Sequence, residues 1–163
     1  MSNTSAFYQT KDVILREISA DDAERIVRWR SDPAVYQYFK MPRKITVEEH
    51  LQWFAHSYCL NSDRRDFIVF SHSGEPLGTV GVQWNKEERT AEVSYLIDPE
   101  YRGHGWASKA LYALCLYAKQ QWKANVFVAC VHKANLPSQR FIESQGFIFV
   151  KNEDDFAIYQ KNF

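Results

Sequence analysis

The chain alternates between short segments whose apolar residues recur every second position and longer segments whose apolar residues recur every third or fourth. The first spacing is typical of strands and the second of helices. Segments that are short and apolar throughout are typical of central strands. On these patterns we predict strands at residues 13–17, 66–70, 76–84, 90–98, 126–131, 147–150 and 156–160.

Four helices are predicted from the second spacing and from their capping residues. One opens with a capping box from Thr46 to Glu49, in which the side chains and amides of the first turn satisfy one another. The last ends at Gly146, where glycine suits a left-handed C-terminal cap. We expect the helices to begin after Ser19, at Thr46, at about Trp106 (running to about Trp122) and at Asn135.

The order of these elements predicts an α/β (α+β) fold. The strands before residue 98 follow one another through short polar turns, as in an antiparallel meander. The strand at 90–98, the helix after it and the apolar strand at 126–131 then form a βαβ crossover, which makes those two strands parallel. Alternate residues of a strand face opposite sides, so Glu92 is expected on the face away from Ala91 and Val93.

Residues 102–108, which we call the glycine loop, contain Gly103 and Gly105 and lead into the third helix. The first amides of a helix lack intrahelical acceptors and carry a partial positive charge, so an exposed helix start binds anions through its backbone. Arg102 can add a charge-assisted hydrogen bond. The segment matches neither a dinucleotide fingerprint nor a P-loop. Taken alone, it also fits an ordinary tight turn.

Composition excludes several classes of protein. The 163 residues carry 20 Lys and Arg against 20 Asp and Glu, which argues against a nucleic-acid-binding surface over the whole molecule. Three scattered cysteines favour neither a disulfide framework nor a zinc site. No apolar run approaches the ~20 residues of a membrane span. We therefore expect a cytoplasmic, single-domain protein without a metal, a nucleic-acid partner or a membrane partner.

The glycine loop and the segment after it resemble a known family. Residues 102–107, Arg-Gly-His-Gly-Trp-Ala, are similar to the Arg/Gln-x-x-Gly-x-Gly/Ala signature of the GNAT N-acetyltransferases. Asn135 and Ser138 match the family's Asn-x-x-Ala/Ser, and residues 146–147 match its Gly-Phe. The resemblance covers nearly the whole chain. It implies the GNAT fold, with a mixed, mostly antiparallel sheet of six to seven strands, a splayed parallel pair, and helices on both faces.

The resemblance also implies acetyl-CoA as cosubstrate. In the family, the loop amides hold the pyrophosphate of coenzyme A, and the strand before the loop pairs with the pantetheine arm. Residues 98–163 would form this half, and residues 13–98 the meander and the acceptor side. By position, the cofactor-binding residues would be Leu96, Ile97, Arg102, Gly103, His104, Gly105, Trp106, Ala107, Ser108, Asn135 and Ser138.

Acetyl transfer to an amine needs a neutral amine and a route for its proton. Glu92 is the candidate general base, because many GNAT enzymes have a glutamate at a similar place; the alternative is a solvent-facing glutamate. The family's usual proton donor is a tyrosine where this chain has Ile142. Tyr159 or Tyr95 would then replace it, unless solvent protonates the thiolate or catalysis rests on positioning.

The acceptor side resembles the GNAT branch of ribosomal-protein and small-amine acetylases. Within that branch, it is most similar to the enzymes that acetylate the 4-amino group of a UDP-linked sugar in pseudaminic acid synthesis. Trp29 and Trp84 would stack on such a substrate and Arg30 would meet its diphosphate. Each aromatic residue also has the alternative of packing a helix on the sheet.

Three functions therefore remain open from the sequence. The first is acetylation of a small-molecule primary amine, such as a nucleotide-linked amino sugar. The second is acetylation of a protein α-amine. The third is an acyl-CoA sensor without turnover, which the missing tyrosine keeps open. The sequence allows either a monomer or a homodimer.

Overall fold

A computed structural model of the chain describes residues 7–163, which form eight strands, five helices and three short 3-10 turns. The strands are β1 Phe7–Gln9, β2 Ile14–Glu17, β3 Arg64–Phe70, β4 Pro76–Asn85, β5 Thr90–Ile97, β6 Val126–His132, β7 Ile148–Glu153 and β8 Phe156–Asn162. The helices are α1 Ala23–Arg30, α2 Pro33–Tyr36, α3 Val47–His56, α4 Trp106–Trp122 and α5 Leu136–Ser144. The 3-10 turns are Ala20–Asp22, Tyr58–Leu60 and Pro99–Tyr101.

All eight strands form one sheet in the order β1-β2-β3-β4-β5-β6-β8-β7. Only β5 and β6 pair in parallel; the other neighbours are antiparallel. The predicted α/β class and the single parallel pair are confirmed. The predicted number of six to seven strands is wrong, because β1 adds an eighth. Its three residues are too few to show an alternating pattern.

Helices cover both faces of the sheet. Helices α4 and α5 pack on one face over the larger core, whose buried residues include Leu15, Phe67, Val80, Leu114, Phe127 and Ile142. Helices α1 and α3 lie on the other face over a smaller cluster of Ile18, Ile26, Trp29, Tyr58 and Ile68. In the described part of the chain, no helix is long and apolar enough to cross a membrane. Residues 7–163 also contain no group of three His, Cys, Asp or Glu placed to hold a metal ion.

The parallel strands part from each other halfway along. Residues Thr90–Val93 pair with Val126–Ala129, but no ladder joins the later residues of β5 to those of β6 in the described structure. Each strand keeps its outer neighbour, since β5 pairs with β4 as far as Ile97 and β6 pairs with β8 as far as His132. The result is a wedge between β5 and β6, which we call the splayed gap. Along it, the edge of β5 has no strand partner.

Candidate active site

The glycine loop continues directly from β5, so it lies at the open end of the splayed gap. Asp98 accepts a hydrogen bond from the backbone amide of Glu100 at 2.9 Å, which begins the 3-10 turn before the loop. Gly103 and Gly105 follow with φ of +83° and +81°, a conformation that glycine adopts without steric cost. Among the described residues, no atom beyond each glycine and its two chain neighbours lies within 4 Å of the Cβ position at Gly103 or Gly105. The loop is therefore open to a ligand.

The amides of the glycine loop are free to bind such a ligand. The amide of Lys109 donates to the carbonyl of Gly105 at 3.3 Å, and the α-helical pattern begins there. The amides from Gly103 to Ser108 have no acceptor within residues 7–163. Arg102 donates from Nε to the carbonyl of Ile97 at 3.0 Å, which holds its guanidinium over the end of β5. Free amides at a helix start form an anion site without basic side chains.

The first turn of α5 borders the splayed gap from the other side. Asn135 caps this helix, because its Oδ1 accepts the amide of Ser138 at 3.3 Å. The hydroxyl of Ser138 lies 2.6 Å from the hydroxyl of Tyr95, which reaches across from β5. Ser108 donates to Oε1 of Gln145 at 2.8 Å and so joins the start of α4 to the end of α5. The structure thus brings together the loop, Asn135 and Ser138 around one gap.

Glu92 lies beside the point where β5 and β6 part. It sits opposite Gln83 on β4 and Val128 on β6, and its side chain is exposed on the sheet face away from α4. It lines a cavity of about 480 Å³, which we call the Glu92 cavity. The other lining residues are Lys40, Cys130, Glu153, Asp154, Asp155, Phe156 and Ile158. A carboxylate in an open cavity beside the gap can accept a proton from a molecule bound there.

A comparison with protein families identifies this arrangement. Residues 12–148 match the acetyltransferase (GNAT) domain. The chain belongs to the GNAT family of acetyltransferases. Membership makes it an N-acetyltransferase that takes the acetyl group from acetyl-CoA. Its relatives include acetyltransferase PseH of Campylobacter jejuni, strain 81-176, which is 25% identical over 140 residues, covering 86% of this chain and 85% of PseH.

Solved GNAT structures share the whole fold. RimL, a ribosomal alpha-N-protein acetyltransferase in complex with coenzyme A, has a TM-score of 0.81 at 15% identity, covering 97% of this chain and 98% of RimL. Spermidine N-acetyltransferase from Vibrio cholerae, in complex with CoA and spermine, has a TM-score of 0.80 at 19% identity, covering 93% of this chain and 94% of that enzyme. At these identities the likeness shows the fold alone.

The GNAT tyrosine position is occupied by a core residue, Ile142, which is fully buried. Tyr159 is 2% exposed, and its hydroxyl donates to Oε1 of Glu143 at 3.2 Å. Burial, together with this carboxylate, raises the pKa of Tyr159. Tyr95 reaches the gap itself, and of the two tyrosines it is better placed to meet a thiolate there.

Two residues expected to bind the acceptor lie in the core instead. Trp29 is 4% exposed and donates from Nε1 to Oδ2 of Asp98 at 2.7 Å. Trp84 is 6% exposed and stacks on Trp122 at 6.0 Å between ring centroids. Trp84 therefore faces α4, whereas Glu92 faces the other side of the sheet. Both indoles pack helices on the sheet, which is the alternative that the sequence left open.

Arg30 lines a second cavity on the same face as Glu92, of about 320 Å³. We call it the arginine pocket. The sequence had not singled out Arg64 for it. No local pattern marks this residue, since β3 and α1 are distant in the chain and meet only in the folded sheet. The lining residues are Arg30, Phe39, Met41, Arg43, Ile45, Glu49, His50, Trp53 and Arg64.

Proposed function

We propose that this enzyme transfers the acetyl group of acetyl-CoA to the primary amine of a small molecule, and that the acceptor is a nucleotide-linked amino sugar. The observation that carries the proposal is the splayed gap. It places an unpaired strand edge, the free amides of the glycine loop and the carboxylate of Glu92 around one opening.

In this proposal the backbone holds the cofactor. The amides of the glycine loop bind the pyrophosphate, because they are unpartnered and stand at the positive end of the 17-residue helix α4. The free edge of β5 at Leu96 and Ile97 pairs with the pantetheine arm. Ser138 lies against the same gap through its contact with Tyr95.

Glu92 takes the proton that the amine loses. The amine nitrogen attacks the thioester carbonyl carbon, the carbon–sulfur bond breaks, and the sulfur leaves as a thiolate. Tyr95 donates a proton to that thiolate through its hydroxyl. Burial raises the pKa of Tyr95, so the hydroxyl keeps its proton at neutral pH until an acceptor forms beside it. One turnover therefore leaves Glu92 with one more proton and Tyr95 with one fewer, and proton exchange with solvent returns both groups to their starting states.

Two features support the choice of acceptor. The acceptor side resembles the enzymes that acetylate UDP-linked amino sugars, and the curated relatives include PseH. The Glu92 cavity and the arginine pocket lie on the same face of the sheet, and together they offer room for a molecule larger than a simple amine.

The test is thiol release with three acceptors: a UDP-linked 4-amino sugar, a short peptide with a free α-amine, and spermidine. We expect turnover with the sugar nucleotide. Turnover with the peptide alone would support a protein α-amine acetylase. Binding of coenzyme A without thiol release from any acceptor would support a sensor.

The role of Glu92 has its own test. Glu92→Gln should lower kcat by about 10²–10⁴. The loss should shrink as pH rises, because more of the amine is then neutral without help. Glu87→Gln is the matched control, since Glu87 is an exposed carboxylate in the turn before β5 and does not line the cavity. A Glu92→Gln enzyme with the rate and pH profile of the parent would remove Glu92 from the mechanism.

A further inference from the structure

The arginine pocket contains a cation that has no direct ion pair among residues 7–163. Arg30 is partly buried, and among residues 7–163 no carboxylate lies within 4 Å of its guanidinium. Its guanidinium carbon lies 5.0 Å from the ring centre of Phe39. A partly buried charge loses part of its favourable hydration, and without an ionic partner no other interaction replaces that loss. Such a charge is typical of a site that an anion completes.

The two other arginines of the pocket are already paired. Arg64 bonds Asp66 through Nε at 3.0 Å, and its guanidinium lies 5.0 Å from the ring centre of Trp53. Arg43 bonds Glu49 at 2.7 Å. Burial and the charge of Arg64 lower the pKa of Arg30, and the carboxylate of Asp66 offsets part of that effect. Arg30 and Arg64 therefore place two positive charges at one pocket, with repulsion between them that Asp66 only partly offsets. An anion between them would relieve that repulsion.

His50 provides the second, independent sign of a ligand. The residue is 3% exposed, lines the pocket, and its Nε2 has no hydrogen-bond partner in the described structure. Buried polar atoms are nearly always hydrogen-bonded, so an unpartnered one needs an explanation. Burial and the charge of Arg30 lower the pKa of His50. A phosphate oxygen would supply its missing partner.

The pocket is also next to the proposed site of chemistry. Phe39 and Met41 line the arginine pocket, while the residue between them, Lys40, lines the Glu92 cavity. One short segment therefore separates the two cavities. A single elongated molecule can place an amine beside Glu92 and an anionic group beside Arg30.

We propose that the arginine pocket binds a phosphate or diphosphate group of the acceptor, held by Arg30, Arg64 and His50 and flanked by the rings of Phe39 and Trp53. This inference rests on the proposed function and adds to it the residues that select the acceptor. It makes the acceptor an amine that also carries phosphate, with the amine in the Glu92 cavity, whose lining includes four carboxylates, and the phosphate in the arginine pocket. A polyamine has no anionic group to place in the arginine pocket.

The first test measures binding by calorimetry with the chain saturated in coenzyme A, so that the glycine loop is occupied. Uridine diphosphate and inorganic pyrophosphate are titrated in, with uridine as the uncharged probe. We expect both anions to bind and uridine to bind at least tenfold more weakly than uridine diphosphate. Arg30→Gln should weaken the binding of both anions about tenfold or more.

Arg28→Gln is the matched control, because Arg28 lies on the same helix but is exposed and does not line the pocket. If Arg30→Gln loses stability by circular dichroism, Arg30→Lys keeps the charge and tests the fork-shaped geometry instead. Anion affinity that is the same in the parent and in both Arg30 variants would overturn the proposal.

Kinetics distinguish this proposal from the proposed function. With a phosphorylated amine, Arg30→Gln should raise KM about tenfold and leave kcat within twofold. If no amine is acetylated but uridine diphosphate still binds through Arg30, the proposed function fails and the anion pocket stands. If amines are acetylated and KM is the same in the parent and in Arg30→Gln, the pocket proposal fails and the proposed function stands.

Discussion

Substitution of Gly105 by alanine isolates the contribution of the glycine loop to cofactor binding. Gly105 has φ +81°, so alanine there costs about 1–2 kcal/mol in strain. Gly74, in the turn between β3 and β4, has φ +89° and, like Gly105, has no atom within 4 Å of its Cβ position. The two alanine variants should therefore lose similar free energy of unfolding, which urea denaturation measures. Only the Cβ at Gly105 stands among the free amides of the loop.

The two variants should differ in cofactor affinity. A methyl group at Gly105 keeps the diphosphate from the amides, and we expect the Kd for coenzyme A to rise at least tenfold, or about 1.4 kcal/mol. Gly74→Ala should leave that Kd unchanged. Isothermal titration calorimetry of both variants gives the comparison at matched stability. Equal affinities in the two variants would refute the placement of the diphosphate on this loop.

Two further substitutions test residues near the gap. Tyr95→Phe should lower kcat about 10–100-fold with little change in coenzyme A affinity. Because burial raises the pKa of Tyr95, the kcat of the parent enzyme should not fall between pH 8 and 10. A fall of kcat in that range in fixed-time assays would count against Tyr95 as the proton donor. Trp29→Phe removes the hydrogen bond to Asp98 and part of a buried ring, so urea denaturation should show a free energy of unfolding that is about 2–4 kcal/mol lower. A decrease of less than about 0.5 kcal/mol would contradict the packing described for Trp29.

Most elements of the fold were predictable because they have a local signal, whereas the short β1 and α2 lack a periodic pattern. The capping box at Thr46 is present, with the amide of Glu49 donating to the threonine hydroxyl at 3.1 Å. Gly146 takes φ +89°, as expected of a left-handed cap. The splayed gap has no such signal, since it depends on how two strands far apart in the chain keep their outer neighbours. It was expected only from the family resemblance.

The alternation of side chains along paired strands explains why the predicted acceptor role of Trp84 is wrong. Trp84 pairs with Ala91, and Gln83 pairs with Glu92. Side chains paired across strands share a face, so Trp84 must lie on the face opposite Glu92. The alternation in β5 was recognised from the sequence, but the register between β4 and β5 depends on the turn that joins them. With the register known, Trp84 is placed against α4, where it stacks on Trp122, and it does not line the Glu92 cavity.

The cofactor half and the acceptor half differ in the atoms that build them. Backbone amides and a free strand edge form the proposed cofactor site; the motif with two glycines predicts the amides, but no local motif predicts the free edge. Side chains from α1, α3, β3 and the segment around Phe39 form the second, and no contiguous motif records their meeting. Residues adjacent in the chain can lie in different environments: Trp29 is buried in the core, whereas Arg30 lines the pocket. One residue advances an α-helix by about 100°, so a shift of one position along α1 exchanges a side chain of the core for one of the pocket. If the proposed sites are correct, single substitutions can change acceptor specificity, whereas the proposed diphosphate site depends on backbone amides that substitutions leave in place.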